Sequence, residues 1–210
     1  MFLSQLSHQK VLPVLVLESV EQADWIGGCF VEAGLQHLEV TLRTPKALTV
    51  IEHLNRNFPE LSVGAGTVLN AHQIRSAVNA GSRFIVSPGA TDALLEAAQD
   101  CPVPFVPGVM TPSEAMRARD YGFGLLKFFP AEAAGGVTLL KAMGAPLQDI
   151  HFCPTGGITL NNMADYLALQ NVPVVGGTWL VTPQALADND RQAVVSRLSL
   201  LQRALTGLSD

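Results

Sequence analysis

Short runs of β-forming residues recur along this 210-residue chain at nearly constant spacing. Eight such runs start 21 to 26 residues apart, the length of one strand, one helix and two short loops. This regularity restricts the fold strongly, because alternating strands and helices pack as a parallel sheet covered by helices. The runs begin at Val11, His37, Leu61, Arg83, Pro104, Leu125, His151 and Val172.

The intervals between the strands have the features of helices. Asn70, Thr91 and Thr111 open three of these intervals, and residues of these types cap the first turn of a helix. Pro45 is expected in the first turn of the helix that follows it. The last helix is predicted to pack through one apolar face formed by Val194, Leu198, Leu201, Leu205 and Leu208.

Eight strand and helix units in this length predict a single-domain α/β protein, a (β/α)8 TIM barrel over residues 1–210. The alternative is an open doubly wound sheet, whose nucleotide-binding signature is a glycine loop after the first strand. The chain reads LVLESVEQA at that place and has no glycine there. The sequence therefore favours the closed barrel, without a linker or a second domain.

Composition excludes several classes of function. A net charge of -5 without a lysine or arginine cluster argues against a nucleic-acid partner, although a local pocket can still attract a small anion. No apolar window approaches the roughly 18 residues of a membrane span, so no membrane partner is expected. Cys29, Cys101 and Cys153 have no paired spacing, and the five histidines lack an HxH or HxxxH pattern. A cytoplasmic protein without a metal site is expected.

One lysine interrupts a strand, in the run LLKFFPA. The other three lysines, Lys10, Lys46 and Lys141, lie at element edges or on helix surfaces. Side chains alternate along a strand, so Lys127 and Phe129 share a face that we expect to point into the barrel. Burial disfavours the charged amine, and a neutral amine can form a Schiff base with a ketone. From strand position alone, a lysine held in a buried ion pair is an equally good interpretation.

The run HLEVTLR places Glu39, Thr41 and Arg43 on one strand face. Glu39 and Arg43 are roughly 13 Å apart at the rise of a strand, too far to pair with each other. A carboxylate inside a barrel needs a partner, and Lys127 is the strand cation that could provide one. Arg43 lies nearer the end where barrel active sites open and offers a planar fork for a carboxylate. Glu39 as a plain structural partner and Arg43 in a rim salt bridge remain the alternatives.

Glycine pairs end the last two strands, in PTGGIT and VVGGTW. Paired glycines let backbone N–H groups approach a ligand, and the loops after these two strands form the usual phosphate site of barrels. Thr178 is placed to add a hydroxyl, and the helix around Asn161 and Asn162 is expected to direct its N-terminus at the anion. A glycine pair alone also marks a tight turn.

Six motifs between residues 38 and 181, in order, resemble the class I 2-keto-3-deoxy-6-phosphogluconate (KDPG) aldolases, which also act as 4-hydroxy-2-oxoglutarate (KHG) aldolases. They are LEVTLRT, GAGTVLN, SPG, KFFPAEAAGG, FCPTGGI and GGTWLV. KFFPAE together with LEVTLR is the specific part, and the similarity covers nearly the whole chain. The resemblance implies a homotrimeric (β/α)8 barrel of the Entner–Doudoroff pathway. Such an enzyme cleaves a 2-oxo acid to pyruvate and glyceraldehyde 3-phosphate, or to pyruvate and glyoxylate, without a metal or other cofactor.

The resemblance also implies roles for ten residues. Lys127 resembles the Schiff-base lysine and Glu39 the general acid/base. Thr178 departs from the serine of the best-known members, which leaves open the preference between phosphorylated and unphosphorylated substrates. The implied substrate-binding residues are Arg43 and Thr67 for the pyruvyl carboxylate, Pro88 and Phe129 as pocket walls, and Gly156, Gly157, Gly177 and Thr178 for the phosphate.

Three other functions fit parts of the sequence. One is another phosphate-binding barrel enzyme, an isomerase or synthase, in which Lys127 acts only through its charge. The second is a non-catalytic barrel that binds a sugar phosphate as a regulator. The third is a sister aldolase for the epimeric 2-dehydro-3-deoxy-6-phosphogalactonate.

Overall fold

The computed structural model of the chain describes residues 2–207. Its strands are short and lie where the eight β-rich runs were predicted, with one run divided in two. In chain order they are β1 (Val11–Leu15), β2 (His37–Thr41), β3 (Ser62–Gly66), β4 (Ile85–Val86), β5 (Phe105–Val106), β6 (Gly108–Val109), β7 (Leu125–Phe128), β8 (His151–Pro154) and β9 (Val175–Gly177).

Helices follow the strands, and their starts agree with the predicted caps at Asn70, Thr91 and Thr111, whose side chains accept backbone N–H groups of the first turn. Pro45 is an exception, because its helix begins at Ala47 after an N-cap at Lys46. The helices are α1 (Phe2–Gln9), α2 (Val20–Glu32), α3 (Ala47–Asn57), α4 (Ala71–Asn79), α5 (Asp92–Gln99), α6 (Pro112–Asp120), α7 (Ala131–Ala134), α8 (Gly136–Gly144), α9 (Met163–Leu167), α10 (Pro183–Ala187) and α11 (Arg191–Thr206).

The strands form a closed cylinder. Six parallel strands follow the order β5-β4-β3-β2-β1-β9, and β6-β7-β8 form a second parallel set. Only Pro107, which has no N–H to donate, separates β5 from β6. A parallel bridge between Thr155 and Gly176 joins β8 to β9. The predicted (β/α)8 barrel is confirmed, and the alternative prediction of an open doubly wound sheet is wrong.

The outward faces of the strands pack against the helices. Leu38 and Val40 of β2 and Leu126 and Phe128 of β7 are fully buried in this outer hydrophobic layer. Helix α11 packs there as predicted through Val194, Leu198, Leu201 and the partly buried Leu205, whereas Leu208 lies outside the described residues.

The inward faces of the strands form a second hydrophobic cluster at the N-terminal end of the barrel. Helix α1 was not predicted from the sequence. It contributes Leu6 to this cluster and closes the N-terminal end of the barrel. Burial raises the pKa of the Cys153 thiol to about 12, as expected of a core cysteine. The barrel interior is therefore filled with side chains at the N-terminal end, which leaves the C-terminal end for a cavity. The other buried members are Leu12, Phe84, Val86, Val106 and Val174.

His37 lies at this closed end and is only 3% exposed. Its ring packs against Phe2 and Phe84, and its Nδ1 atom has no hydrogen-bond partner in the part of the chain that the structure describes. Burial lowers the pKa of the imidazole, so the folded state favours the neutral ring. As the pH falls below the ordinary histidine pKa of about 6.5, the unfolded chain binds the additional proton. Stability is therefore lost between that value and the lower pKa of the folded state.

Replacing His37 with phenylalanine should remove this part of the acid sensitivity. We expect the melting temperature of His37→Phe to fall less between pH 7 and pH 5 than that of the wild type, by a few degrees, because about 1 kcal/mol shifts the melting temperature of a domain of this size by roughly 2–4 °C. Thermal unfolding followed by circular dichroism measures the effect. His72→Phe, at an exposed position, serves as the control. Parallel curves for His37→Phe and the wild type would show that His37 does not contribute.

Candidate active site

A cavity of about 240 Å³ opens at the C-terminal ends of the strands. Its ionisable side chains, within residues 2–207, are two cations and one carboxylate, so the wall favours an anionic ligand on an otherwise acidic protein. The structure brings all ten residues singled out in the sequence to this cavity: Glu39, Arg43, Thr67, Pro88, Lys127, Phe129, Gly156, Gly157, Gly177 and Thr178.

Lys127 and Glu39 meet across the interior of the barrel. Their strands, β7 and β2, occupy the sixth and second of the eight positions around the cylinder and therefore face each other. The Lys127 Nζ atom lies 3.3 Å from the Glu39 Oε1 atom and 5.5 Å from the centre of the Phe129 ring. Lys127 is 5% exposed and Glu39 1% exposed. The amine thus points into the barrel interior and has the partner that the sequence predicted.

Two glycines allow close contacts around this pair, Gly66 beside the Glu39 carboxylate and Gly108 against the backbone of Pro88. In the strand register, Gly108 is the neighbour of Lys127, and Gly66 lies one interior position beyond the neighbour of Glu39. A Cβ atom on Gly66 would lie 1.9 Å from the Glu39 Oε1 atom, and one on Gly108 would lie 2.2 Å from the backbone carbon of Pro88. Any side chain at these positions would displace the carboxylate or the strand itself.

Arg43 stands just beyond the end of β2, at the mouth of the cavity. Its Nε atom donates a hydrogen bond of 3.2 Å to the Thr41 hydroxyl, which in turn donates to the Leu15 carbonyl oxygen at 3.0 Å. No carboxylate among residues 2–207 lies within ion-pair distance of Arg43, so the rim salt bridge is not formed there. The terminal nitrogens of the guanidinium are therefore placed to bind a substrate carboxylate.

Thr67 follows β3 and adopts a φ of 59°, in the left-handed region. This conformation is unfavourable for a β-branched residue and is found mainly where the surrounding structure enforces it, often at functional sites. The Thr67 side chain lines the same cavity as Arg43 and Pro88. The left-handed backbone thus supports a threonine in the wall of the cavity.

The loop after β8 supplies backbone donors. Gly156 and Gly157 have φ values of 98° and 81°, which glycine adopts at little cost. Within the described part of the chain, the N–H groups of Gly157 and Ile158 donate no hydrogen bond to a protein acceptor. Such donors are suited to an anion.

The helix expected after this loop is shorter than predicted. Asn161 and Asn162 belong to a turn, and α9 begins at Met163 and has five residues. The Asn162 side chain stabilises the turn instead, since its oxygen accepts the Thr159 N–H at 2.7 Å and its nitrogen donates to the Gly157 carbonyl oxygen at 3.1 Å. A helix N-terminus is therefore not directed at the cavity as expected, and the backbone N–H groups of the loop are the donors available for an anion.

Five further residues line the cavity that were not singled out as site residues: Val14, Thr41, Thr155, Ile158 and Gly176. Alternation along strands could have found most of them, because Thr155 continues the inward face of Cys153, and Val14 is the register neighbour of Glu39. Ile158 follows the glycine pair in a loop, and no strand period applies to it.

Two structural findings bear on metal and membrane contacts. Among residues 2–207, no group of three or more His, Cys, Asp or Glu side chains is arranged to hold a metal ion. No helix in the same range has the length and apolar character needed to cross a bilayer.

Comparison with known proteins assigns the family. The family model of KDPG and KHG aldolase matches residues 3–197. The chain is 46% identical over 190 residues to 2-dehydro-3-deoxy-phosphogluconate aldolase of Pseudomonas aeruginosa, covering 90% of this chain and 86% of the relative. It is 45% identical over 196 residues to KHG/KDPG aldolase of Escherichia coli K12, covering 92% of each.

A solved structure gives the same assignment. KDPG aldolase from Legionella pneumophila, with pyruvate captured at low pH as a covalent carbinolamine intermediate, superimposes with a TM-score of 0.91 at 39% sequence identity. The match covers 94% of this chain and 96% of that one. The family model and these relatives cover nearly the whole chain, including the cavity and the buried lysine. The chain belongs to the KDPG and KHG aldolase family.

Proposed function

We propose that this chain is a Schiff-base aldolase that cleaves KDPG to pyruvate and glyceraldehyde 3-phosphate, and KHG to pyruvate and glyoxylate. The observation that carries the proposal is the buried Lys127 amine, 3.3 Å from the Glu39 carboxylate in a cavity at the catalytic end of the barrel. The names of the relatives support both substrates, and the pyruvate carbinolamine in the Legionella pneumophila enzyme supports covalent capture.

The reaction begins with the Lys127 amine. Transfer of a proton from Lys127 to Glu39 leaves a neutral amine beside a neutral acid, so the pair loses its charges together and no single buried charge remains. The amine attacks the C2 ketone of the substrate to give a carbinolamine. Loss of water, with a proton returned from Glu39 to the leaving hydroxyl, gives a protonated imine.

The protonated imine then withdraws electrons from the neighbouring carbon–carbon bond. Glu39, directly or through a water molecule, removes the proton of the C4 hydroxyl. The C3–C4 bond breaks, the aldehyde leaves, and the electron pair remains as an enamine of pyruvate on Lys127. Protonation at C3 and hydrolysis of the imine release pyruvate and restore the amine.

The two ends of the substrate require different receptors. Arg43 and Thr67 hold the pyruvyl carboxylate, so that the ketone is presented to Lys127, a positioning effect that can contribute several kcal/mol. Gly156, Gly157, Gly177 and Thr178 surround the distal end, where backbone donors and one hydroxyl suit a phosphate. Phe129 and Pro88 form the apolar walls between the two ends.

An assay on purified substrates tests the function. We expect pyruvate release from KDPG and KHG, measured by coupling to lactate dehydrogenase, and a higher kcat/KM on KDPG than on its galactonate epimer. A preference for the epimer would identify the sister aldolase instead. A protein that binds the sugar phosphates but releases no pyruvate would be a regulator and would overturn the proposal.

We also propose that residues 1–210 are one catalytic domain, that the protein is a cytoplasmic homotrimer, and that it works without a cofactor. The three free cysteines fit a reducing compartment. Leu69, Met110, Met116 and Leu200 are large hydrophobic side chains that are exposed on the single chain, and contact between subunits would bury such side chains. Light scattering on the purified protein decides the oligomeric state, and a monomeric mass would refute the trimer.

A further inference from the structure

The backbone of residues 156–158, named here the distal loop, is tied to the segment that follows the catalytic lysine. The Ala131 N–H donates to the Thr155 carbonyl oxygen at 2.8 Å, and the Glu132 N–H donates to the Gly156 carbonyl oxygen at 3.1 Å. On the other side, the Asn162 side chain donates to the Gly157 carbonyl oxygen. The carbonyl groups of Gly156 and Gly157 are thus occupied, while the N–H groups of Gly157 and Ile158 are left for a ligand.

The Glu132 side chain forms a second connection. Its stem packs directly on the distal loop, because a Cβ atom on Gly157 would lie 2.6 Å from the Glu132 Cγ atom. Its Oε1 atom accepts a hydrogen bond from the Tyr166 hydroxyl of α9. Glu132 belongs to α7, and Tyr166 lies after the loop, so this contact joins the two elements between which the distal loop is held.

Tyr166 is suited to a fixed structural contact. Its side chain is 0% exposed, and burial, followed by the hydrogen bond and charge of Glu132, raises the pKa of its hydroxyl. The phenol therefore stays protonated and donates its hydrogen. Neither Glu132 nor Tyr166 lines the cavity, so neither has a direct place in the proposed chemistry.

We propose that Glu132 and Tyr166 are a positioning pair that holds the distal loop in the conformation that binds the phosphate of the substrate. This inference rests on the proposed aldolase function and adds a determinant of the preference for phosphorylated substrates. The pair acts through the backbone of Gly156 and Gly157, because the phosphate is bound there by N–H groups whose directions depend on the loop conformation.

Removing the Tyr166 hydroxyl is the direct test. For Tyr166→Phe we expect the KM for KDPG to rise about tenfold, the size of one hydrogen bond to a charged group, while kcat changes less than about threefold. The KM for KHG, which has no phosphate, should change less than about twofold. Borohydride trapping of pyruvate on Lys127 should be as complete as in the wild type, because the imine forms at the other end of the cavity.

Matched variants separate positioning from general destabilisation. Tyr121→Phe removes the hydroxyl of the other tyrosine, which is placed beside Glu96 at the C-terminal end of α6, and should leave both KM values unchanged. Glu132→Gln keeps a neutral acceptor for Tyr166 and should raise the KM for KDPG less than Tyr166→Phe does. Glu132→Ala removes the acceptor and should reproduce the rise in KM of Tyr166→Phe.

The outcomes are distinguishable from a failure of the proposed function itself. A wild type that neither traps pyruvate nor cleaves KDPG would refute the aldolase. With an active wild type, unchanged KM values in both Tyr166→Phe and Glu132→Ala would refute the positioning pair. Equal KM increases for KDPG and KHG, or a parallel loss of pyruvate trapping, would also overturn it, since they would indicate a general structural role.

Discussion

Replacing Lys127 with methionine is expected to lower kcat for KDPG cleavage by about 10⁴-fold or more, the scale seen when an enzyme loses its covalent nucleophile. Methionine keeps most of the apolar stem and lacks the amine, so the barrel interior stays filled. Initial rates of pyruvate release measure the loss, and circular dichroism shows whether the variant is folded.

Two further variants identify the cause of the loss. Lys127→Arg keeps a positive charge but has no nucleophilic amine, and it should be as inactive as Lys127→Met. Retention of activity in the arginine variant would mean that the charge alone matters, as in an isomerase or synthase. Lys141→Met, on the exposed side of α8, changes the same residue type outside the cavity and should keep the wild-type rate.

Replacing Glu39 with glutamine should slow turnover by about 100-fold or more, the scale of general acid/base catalysis, while imine formation with pyruvate stays detectable. Glutamine has the same shape and can still accept a hydrogen bond from the Lys127 nitrogen, but it cannot take up the proton of the C4 hydroxyl. Slow turnover together with detectable imine formation distinguishes a general base for bond cleavage from a residue that only holds Lys127 in place.

The controls for this variant are steady-state turnover and borohydride trapping measured on the same preparation. Turnover equal to that of the wild type would contradict the assignment of Glu39 as the base. A complete loss of both turnover and trapping would instead show that no other group can replace Glu39 in the first step, the deprotonation of Lys127.

Much of the barrel could be predicted because its units repeat. Each strand carries a β-rich run, and several helices begin at a residue whose side chain caps the first turn, as at Asn70 and Thr111. Helix α1 was not predicted because it precedes the first repeat. Its role depends on packing Leu6 and Phe2 into the N-terminal end of the barrel. The break between β5 and β6 follows from Pro107, whose missing N–H was visible in the sequence.

More of the site residues could be predicted than strand periodicity alone identifies. Strand alternation placed Lys127 and Glu39 inside the barrel, and the resemblance to the aldolases added Thr67 and Pro88, which no local pattern indicates. That the two charged side chains meet depends on strands facing each other across the cylinder and on the space left beside Glu39 by Gly66. These are properties of the closed barrel and cannot be derived from any one segment.

The proposed mechanism requires the Lys127 amine to capture a 2-oxo acid as an imine. Incubation with pyruvate, reduction with borohydride and peptide mass spectrometry detect this capture. We expect the peptide containing Lys127 to gain the mass of one reduced pyruvate imine, and Lys10, Lys46 and Lys141 to remain unmodified. An unmodified Lys127 in an enzyme that still releases pyruvate from KDPG would contradict it.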